Sequence, residues 1–478
     1  MIMKYELNYN PKTQPLQHQT EATNFIRDNN IVALFDEMGL GKTKIVLDAL
    51  LQNLNAGVIN CALIICKKTL VYNWENEIDK HTHLHSIILR GSDREKGMKF
   101  MANMPFYIIN YDALIKEVKR LNMLLKIKKA AIVLDESHRI KDPHSKAAQS
   151  LFLLAPLAEK RIIVSGTPVA NKPFDIWSQF YFLDSGRLLG TNYESFKKEY
   201  SIDFKNNKFN NIKMQELRCI MKSVSIRRLK QDVLELPNKK FESIFVDLKG
   251  KQKDMYNQLK NDLYLEISNM DGDQIIDESE NILKRILRLN QITSNPKLID
   301  ESYNEEPIKF SILDKLIKDI INKNEKLIIW SSFIENILIL KSRYKKYGAV
   351  TIFGKMNIED RNRAVIKFVN DIDCKILIAN PAAAREGLTL TVANNAIYID
   401  RSFNLVDYIQ SQDRIHRISQ TKDCNIMNIL ASDTIDVYID EIIFKKQNIA
   451  KFLQGDSNKI MAKRDFLTKE ELIKILGG

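Results

Sequence analysis

The chain has 478 residues, 45% of them hydrophobic and 28% charged, and carries a formal net charge of +12. That length calls for two or three domains, and the balance is that of a globular chain, not a disordered or fibrous one. No apolar run reaches the length of a membrane span and the N-terminus lacks an apolar signal core, so the expectation is a protein outside the membrane.

Five cysteines (Cys61, Cys66, Cys219, Cys374 and Cys424) stand in unrelated contexts without a C-x-x-C pair. That usage points to reduced thiols in the cytoplasm. The positive charge hints at a polyanionic partner, although a basic composition alone has the same sign.

The first element is "IVALF", Ile31 to Phe35, an apolar run suited to a buried strand of a parallel sheet. "DEMGLGKT" follows, and after it Ile45, Val46, Ala49, Leu50 and Leu54 recur at helical spacing. Strand, glycine turn and helix form the setting of a phosphate-binding loop, where helix-start N–H groups and the helix dipole attract anions. The usual pattern is G-x-x-x-x-G-K-[ST], but its first glycine is here Asp36. Met38, Gly39, Leu40, Gly41, Lys42 and Thr43 would cradle a nucleotide. Lys42 would reach the β- and γ-phosphates, and Thr43 would ligate magnesium.

Further along, "HTHLH" (His81, His83, His85) lacks the cysteines or carboxylates that would complete a metal site, and reads as a loop. "KKAAIVLDESHRIKD" then places Asp135 and Glu136 at the end of an apolar strand, the mouth of an α/β sheet. Asp135 would hold magnesium through water, and Glu136 would polarise the attacking water. Apolar strands at Ile31, Ala62, Tyr107, Ala131 and Ile162 alternate with helical segments in the first half. Strands near Lys326, Val350, Lys375, Ala396 and Asn425 do the same in the second. Arg414 and Arg417 lie three apart, which on a helix gives one face.

The order of these elements resembles helicase superfamily two, and the details resemble its Swi/Snf-type DNA-translocating ATPases. "DEMGLGKT" is the form that family gives its first motif, Asp36 included. "SGTP" (Ser165 to Pro168), "SIRRLKQDVLELP" (Ser225 to Pro237), "EGLTL" (Glu386 to Leu390) and "QSQDRIHRISQ" (Gln410 to Gln420) resemble its later motifs. "SIRRLKQDVLELP" is the most specific, because most other superfamily-two enzymes lack it. Departures are Lys67 for proline, Asn290 and Asn295, Asn380-Pro381-Ala382, Arg385, Leu405 for proline and Ser419 for glycine.

The resemblance implies ATP and Mg2+ as cofactors and double-stranded DNA as partner, with an accessory subunit left open. It makes Gln19 the adenine-reading residue and adds Glu386 and Gly387 to the nucleotide site. Arg414 and Arg417 would stabilise the γ-phosphoryl group, while His138, Ser165, Thr167 and Gln410 would couple hydrolysis to movement. Lys67, Lys68, Arg385 and Phe403 would meet DNA, with solvated lysines and core packing as the alternatives. Trp74 is read as packing more than as base stacking.

The implied fold is α/β, with two RecA-like parallel-sheet lobes and helical insertions between them. Expected boundaries are 1–173 for lobe one, 174–248 and 249–300 for the helical protrusions, 301–445 for lobe two and 446–478 for a helical extension. The chain reads as nearly all motor, without targeting modules, which favours a bacterial, phage or viral DNA-processing role. Two rivals stand: a strand-separating DNA or RNA helicase, and a non-motor scaffold that binds ATP as a switch.

Overall fold

The computed structural model describes residues 8–169, 171–200, 211–270, 274, 278–383 and 388–457. Arg385, Glu386, Gly387, part of the charged stretch Ser268–Asn281 and the terminal Lys469–Gly478 lie outside the described residues. Among the described residues the chain divides into two compact units: residues up to 235 together with 448–457, and residues 236–447.

Seven strands build the first unit's sheet: β1 (Ile31–Leu34), β2 (Cys61–Cys66), β3 (Ser86–Ile88), β4 (Phe106–Asn110), β5 (Ala130–Asp135), β6 (Lys160–Val164) and β7 (Ser225–Ile226). Their order is β3-β4-β2-β5-β6-β1-β7, and every pairing is parallel. A wholly parallel sheet is covered on both faces, so its central strands can be apolar throughout. "CALIIC" of β2 is accordingly buried at all six positions. The core packs Val32, Ile64, Val133 and Ile162 of the sheet against Ile45, Ala49 and Leu50 of the helix Lys42–Asn55.

Six strands build the second sheet: β8 (Lys239–Val246), β9 (Lys326–Trp330), β10 (Val350–Ile352), β11 (Ile376–Ala379), β12 (Ala393–Tyr398) and β13 (Cys424–Ala431). They run in the order β10-β11-β9-β12-β13-β8, again all parallel. Two parallel-sheet lobes with helices around them are thus the observed architecture.

The sequence does not announce β3, β7 and β8. β3 has three residues and β7 two, too short to show a period. β8 is an edge strand whose outward positions hold Lys240, Glu242 and two exposed phenylalanines, so it shows no apolar run. Charges on an exposed edge discourage pairing with another chain.

The helix expected to carry Arg414 and Arg417 is corrected by the structure. The helix Leu405–Gln412 stops short of both. Beyond it the backbone tightens: Arg414 N–H bonds Ser411 C=O at 3.2 Å, Ile415 N–H bonds Gln412 C=O at 3.2 Å, and Gln420 N–H bonds Arg417 C=O at 2.8 Å. The Gln420 amide holds these turns by donating to the carbonyls of Thr391, Ala393 and Ile415.

Candidate nucleotide site

Strand order explains why distant motifs meet. β2, β5, β6 and β1 are consecutive neighbours, so the residues after them share one edge of the sheet. Those residues are Lys67 after β2, Asp135-Glu136 at β5, Ser165-Gly166-Thr167 after β6 and the loop Phe35–Gly41 after β1.

The loop closes on the helix Lys42–Asn55, whose N-cap Gly41 is left-handed at φ 79°. That backbone favours glycine, and a β-carbon there would also fall 2.3 Å from the Gln19 amide nitrogen, which would have to move. Gln19 itself is buried, accepting from Leu16 N–H at 3.0 Å and donating to Leu40 C=O at 3.2 Å. Gly166 abuts the loop from the β6 side: a β-carbon on it would lie 2.6 Å from Met38 Cγ and 3.5 Å from Lys42 Nζ. The Lys42 ammonium donates to the Asp36 and Glu37 carbonyls at 3.0 and 3.3 Å. Burial lowers its proton affinity, opposed by the charges of Glu136, Asp36 and Asp135. Thr43 lies in the first turn of that helix, beside Lys42.

The Asp36 carboxylate is turned toward Arg228. Asp36 is fully buried, and its carboxylate accepts from Arg228: the backbone N–H at 3.0 Å, Nε at 3.1 Å, and one guanidinium Nη. A second Nη of Arg228 donates to His18 C=O. This pairing follows from β7, which lies along β1 with Ala33 opposite Ser225 and Leu34 opposite Ile226. The ladder continues into the loop: Phe35 N–H bonds Ile226 C=O at 2.9 Å, and Glu37 N–H bonds Arg228 C=O at 3.0 Å. Lys230 N–H then donates to Glu37 Oε2 at 2.8 Å. "RRLK" is therefore the back wall of the phosphate loop. The sequence supplies the arginine and the aspartate 192 positions apart, with no local signal that joins them.

Across β6 lie the two acids. Asp135 ends β5, and burial first, then the charge of Glu136, push its carboxyl up to about 6. Burial acts upward on Glu136 too, but His138, Lys67 and Lys42 outweigh it and hold that carboxyl at about 2. Glu136 adopts the left-handed region at φ 52°, rare for a side-chain-bearing residue and a strain that functional sites tolerate. His138 Nδ1 lies 3.2 Å from Glu136 Oε2 and 3.4 Å from Ser165 Oγ, and Ser165 Oγ accepts from Thr167 N–H at 3.1 Å. Glu136, His138, Ser165 and Thr167 thus form one chain of contacts from β5 to β6.

The residues expected at DNA separate. Lys67 is 7% exposed and its charge acts on Glu136, so the solvated reading does not hold for it, whereas Lys68 is exposed. Trp74 is 1% exposed and packs in the core, with its indole N–H on Asp135 Oδ2 at 2.8 Å. Phe403, half-buried, stands edge-on to Tyr438. His81 bonds Glu77 and Thr13.

In the second unit, Arg414 is buried and donates to Gln410 C=O at 3.0 Å and Leu388 C=O at 3.3 Å. Arg417 donates to Asp413 C=O at 3.1 Å and to Thr389 Oγ1 at 2.8 Å. Gln410 is wholly buried. Each arginine is held by the "LTL" and "QSQD" segments of its own unit.

The SNF2-related domain matches residues 18–298, more than half of the chain, and the helicase conserved C-terminal domain matches residues 308–419. The chain belongs to the SNF2-related family. The two domains together mark an ATPase of the helicase kind. An "uncharacterized ATP-dependent helicase" of Mycoplasma pneumoniae is 30% identical over 99% of this chain and 45% of its own length. The "putative ATP-dependent helicase/translocase YwqA" of Bacillus subtilis is 28% identical over 89% of this chain and 47% of its own. This chain therefore spans less than half the length of these relatives. Among solved structures, a Sulfolobus solfataricus SWI2/SNF2 ATPase core in complex with dsDNA is 26% identical over 98% of this chain and 99% of that one, with a TM-score of 0.46. No helix among the described residues is long and apolar enough to cross a membrane.

Proposed function

We propose that this SNF2-family chain hydrolyses ATP and uses the cycle to move along double-stranded DNA. The observation that carries the reading is the meeting of the Gly39–Thr43 loop, after β1, with Asp135 and Glu136, at β5, on the two parallel strands that flank β6. The loop's N–H groups and Lys42 bind the β- and γ-phosphates, and Gln19 reads the adenine. Glu136, ionised through His138, orients and polarises the attacking water. A hydroxyl and a half-buried carboxylate, Thr43 and Asp135, are the hard oxygen donors that suit Mg2+, held by Asp135 through water. Bound there, Mg2+ neutralises developing phosphate charge. Arg414 and Arg417 add charge stabilisation as arginine fingers, and Glu386 and Gly387 belong to the nucleotide-responsive set.

Movement requires that the nucleotide state change the grip on DNA. The chain Glu136–His138–Ser165–Thr167 supports such coupling, because the group that handles water touches the segment after β6. Lys68, which opens the short helical turn Lys68–Leu70 after β2, supplies a phosphate contact, joined by Lys67, Arg385 and Phe403. The net charge of +12 favours a polyanion. The test is steady-state ATP turnover with duplex DNA, single strands and RNA at matched salt. Duplex DNA should stimulate most, and its affinity should fall with salt at a log–log slope of about −0.9 per phosphate contact. Equal stimulation by the three polymers removes the duplex reading.

A further inference from the structure

Asp135 is gripped from two directions by helices outside the phosphate loop. Trp74 lies on the helix Val71–His81, which follows β2, and its Nε1–H donates to Asp135 Oδ2 at 2.8 Å. Tyr111 opens the helix Tyr111–Ile127, which follows β4, and its hydroxyl donates to the Asp135 carbonyl at 2.8 Å. Both side chains are buried, at 1% and 3% exposure. A buried indole has little freedom to rotate away, and its N–H is normally matched to one acceptor. A carboxylate at a strand end has two torsions of its own. Here Oδ2 is assigned to the indole and the Glu136 N–H also donates to the carboxylate, so its orientation is set by these donors and not by its own torsions.

We propose that Trp74 is a positioning residue for magnesium: its indole N–H sets the Asp135 carboxylate in the orientation that holds the hydrated ion. The inference rests on the reading of Asp135 as the magnesium-side carboxylate. Partners that orient a metal-side group typically change metal affinity by 10–100-fold when lost. The packing of Trp74 and the hydrogen bond of Trp74 are separable. Its rings belong to the core cluster that also holds Ile78 and Ile64, while the N–H alone addresses Asp135.

The experiment titrates MgCl2 against binding of a fluorescent, non-hydrolysable ATP analogue. Two variants remove the donor: Trp74→Phe, and Trp74→3-benzothienylalanine, in which sulfur replaces the N–H and the ring shape is kept. Each is first matched to the parent by its denaturation midpoint. The half-saturating Mg2+ concentration should rise by about tenfold in both, with analogue affinity in excess EDTA unchanged. Asp135→Asn should move it at least as far. If Asp135→Asn shifts the magnesium titration and the folded isostere does not, the positioning role is wrong while the metal reading stands. If Asp135→Asn itself leaves the titration in place, the metal reading falls and this inference with it.

Discussion

Each unit gathers a group of carboxylates at or just beyond its strand ends, and the two groups are built in opposite ways. In the second unit Asp400 accepts from the Ser294 and Ser331 hydroxyls at 2.8 and 2.7 Å and from Ser332 N–H. Asp436 accepts from Thr293 Oγ1 at 2.7 Å and Ala431 N–H at 2.9 Å, and lies 2.6 Å from the wholly buried Lys309. Every acid there has neutral donors or a cation around it, as a buried charge requires. In the first unit two acids stand next to each other in sequence, Glu136 at a positive φ, their proton affinities driven apart. A half-buried like-charged pair on strained backbone costs stability, the pattern expected of a place kept for chemistry. The contrast separates what holds a lobe together from what acts on a ligand.

The strongest way to break the contrast is Glu136→Gln. Turnover should fall on the order of 10²–10⁴-fold, the span for a side chain positioned on the proton of the attacking water, while the variant still binds ATP and is no less stable. Near-normal turnover, measured with saturating duplex DNA, shows that another group handles the water. Arg414→Ala and Arg417→Ala ask whether the second unit takes part in chemistry. Each should lower DNA-stimulated turnover on the order of 10³-fold with far less effect on equilibrium ATP binding. Lysine at either position should rescue poorly, since it lacks the planar fork. Normal turnover in both variants abandons the arginine-finger assignment.

Lys309→Met should act on stability instead. Removing one partner of a buried pair leaves the other charge buried alone, a loss of about 3–5 kcal/mol. Urea unfolding should show it, while the ATP affinity of the folded protein stays put. A variant as stable as the parent means that Asp436 is satisfied by Thr293 and Ala431 alone.

Much of this was legible in the sequence. Ten strands were placed by apolar runs, because a parallel strand buried on both faces must be apolar along its length. Lys42, Asp135 and Glu136 were found because their chemistry depends on local order, strand then turn. Three features were hidden for physical reasons. β7 is two residues long and exists only because β1 offers it an edge. The turns bearing Arg414 and Arg417 are set by the Gln420 amide, a tertiary contact that overrides helical spacing. The hydrogen bond of Trp74 joins residues 61 positions apart, so "NW" reads as core packing until the fold brings Asp135 to it.

The smallest expected effect concerns Asp36, where the phosphate-loop pattern departs from glycine. If Asp36 is there for Arg228 and not for the nucleotide, the two residues should be coupled and jointly dispensable. Arg228→Met strands a carboxylate with no exposure beside the loop. Losing its charged hydrogen bonds should cost about 1.5–3 kcal/mol, read as a lower urea midpoint. ATP should bind about tenfold more weakly, the equivalent of roughly 1.4 kcal/mol, because the loop's first half loses its back wall. Asp36→Gly, which restores the ordinary pattern, should cost less, since a guanidinium 12% exposed and still bonded to His18 C=O is easier to hydrate than a sealed carboxylate. Combining the two changes should recover part of both losses, because no buried charge is left without a partner. The measurement is a double-mutant cycle on ATP affinity and urea midpoint. Strictly additive effects, with the double variant worse than either single one, show that Asp36 acts on the nucleotide itself and that the wall formed by "RRLK" is not the reason for its presence.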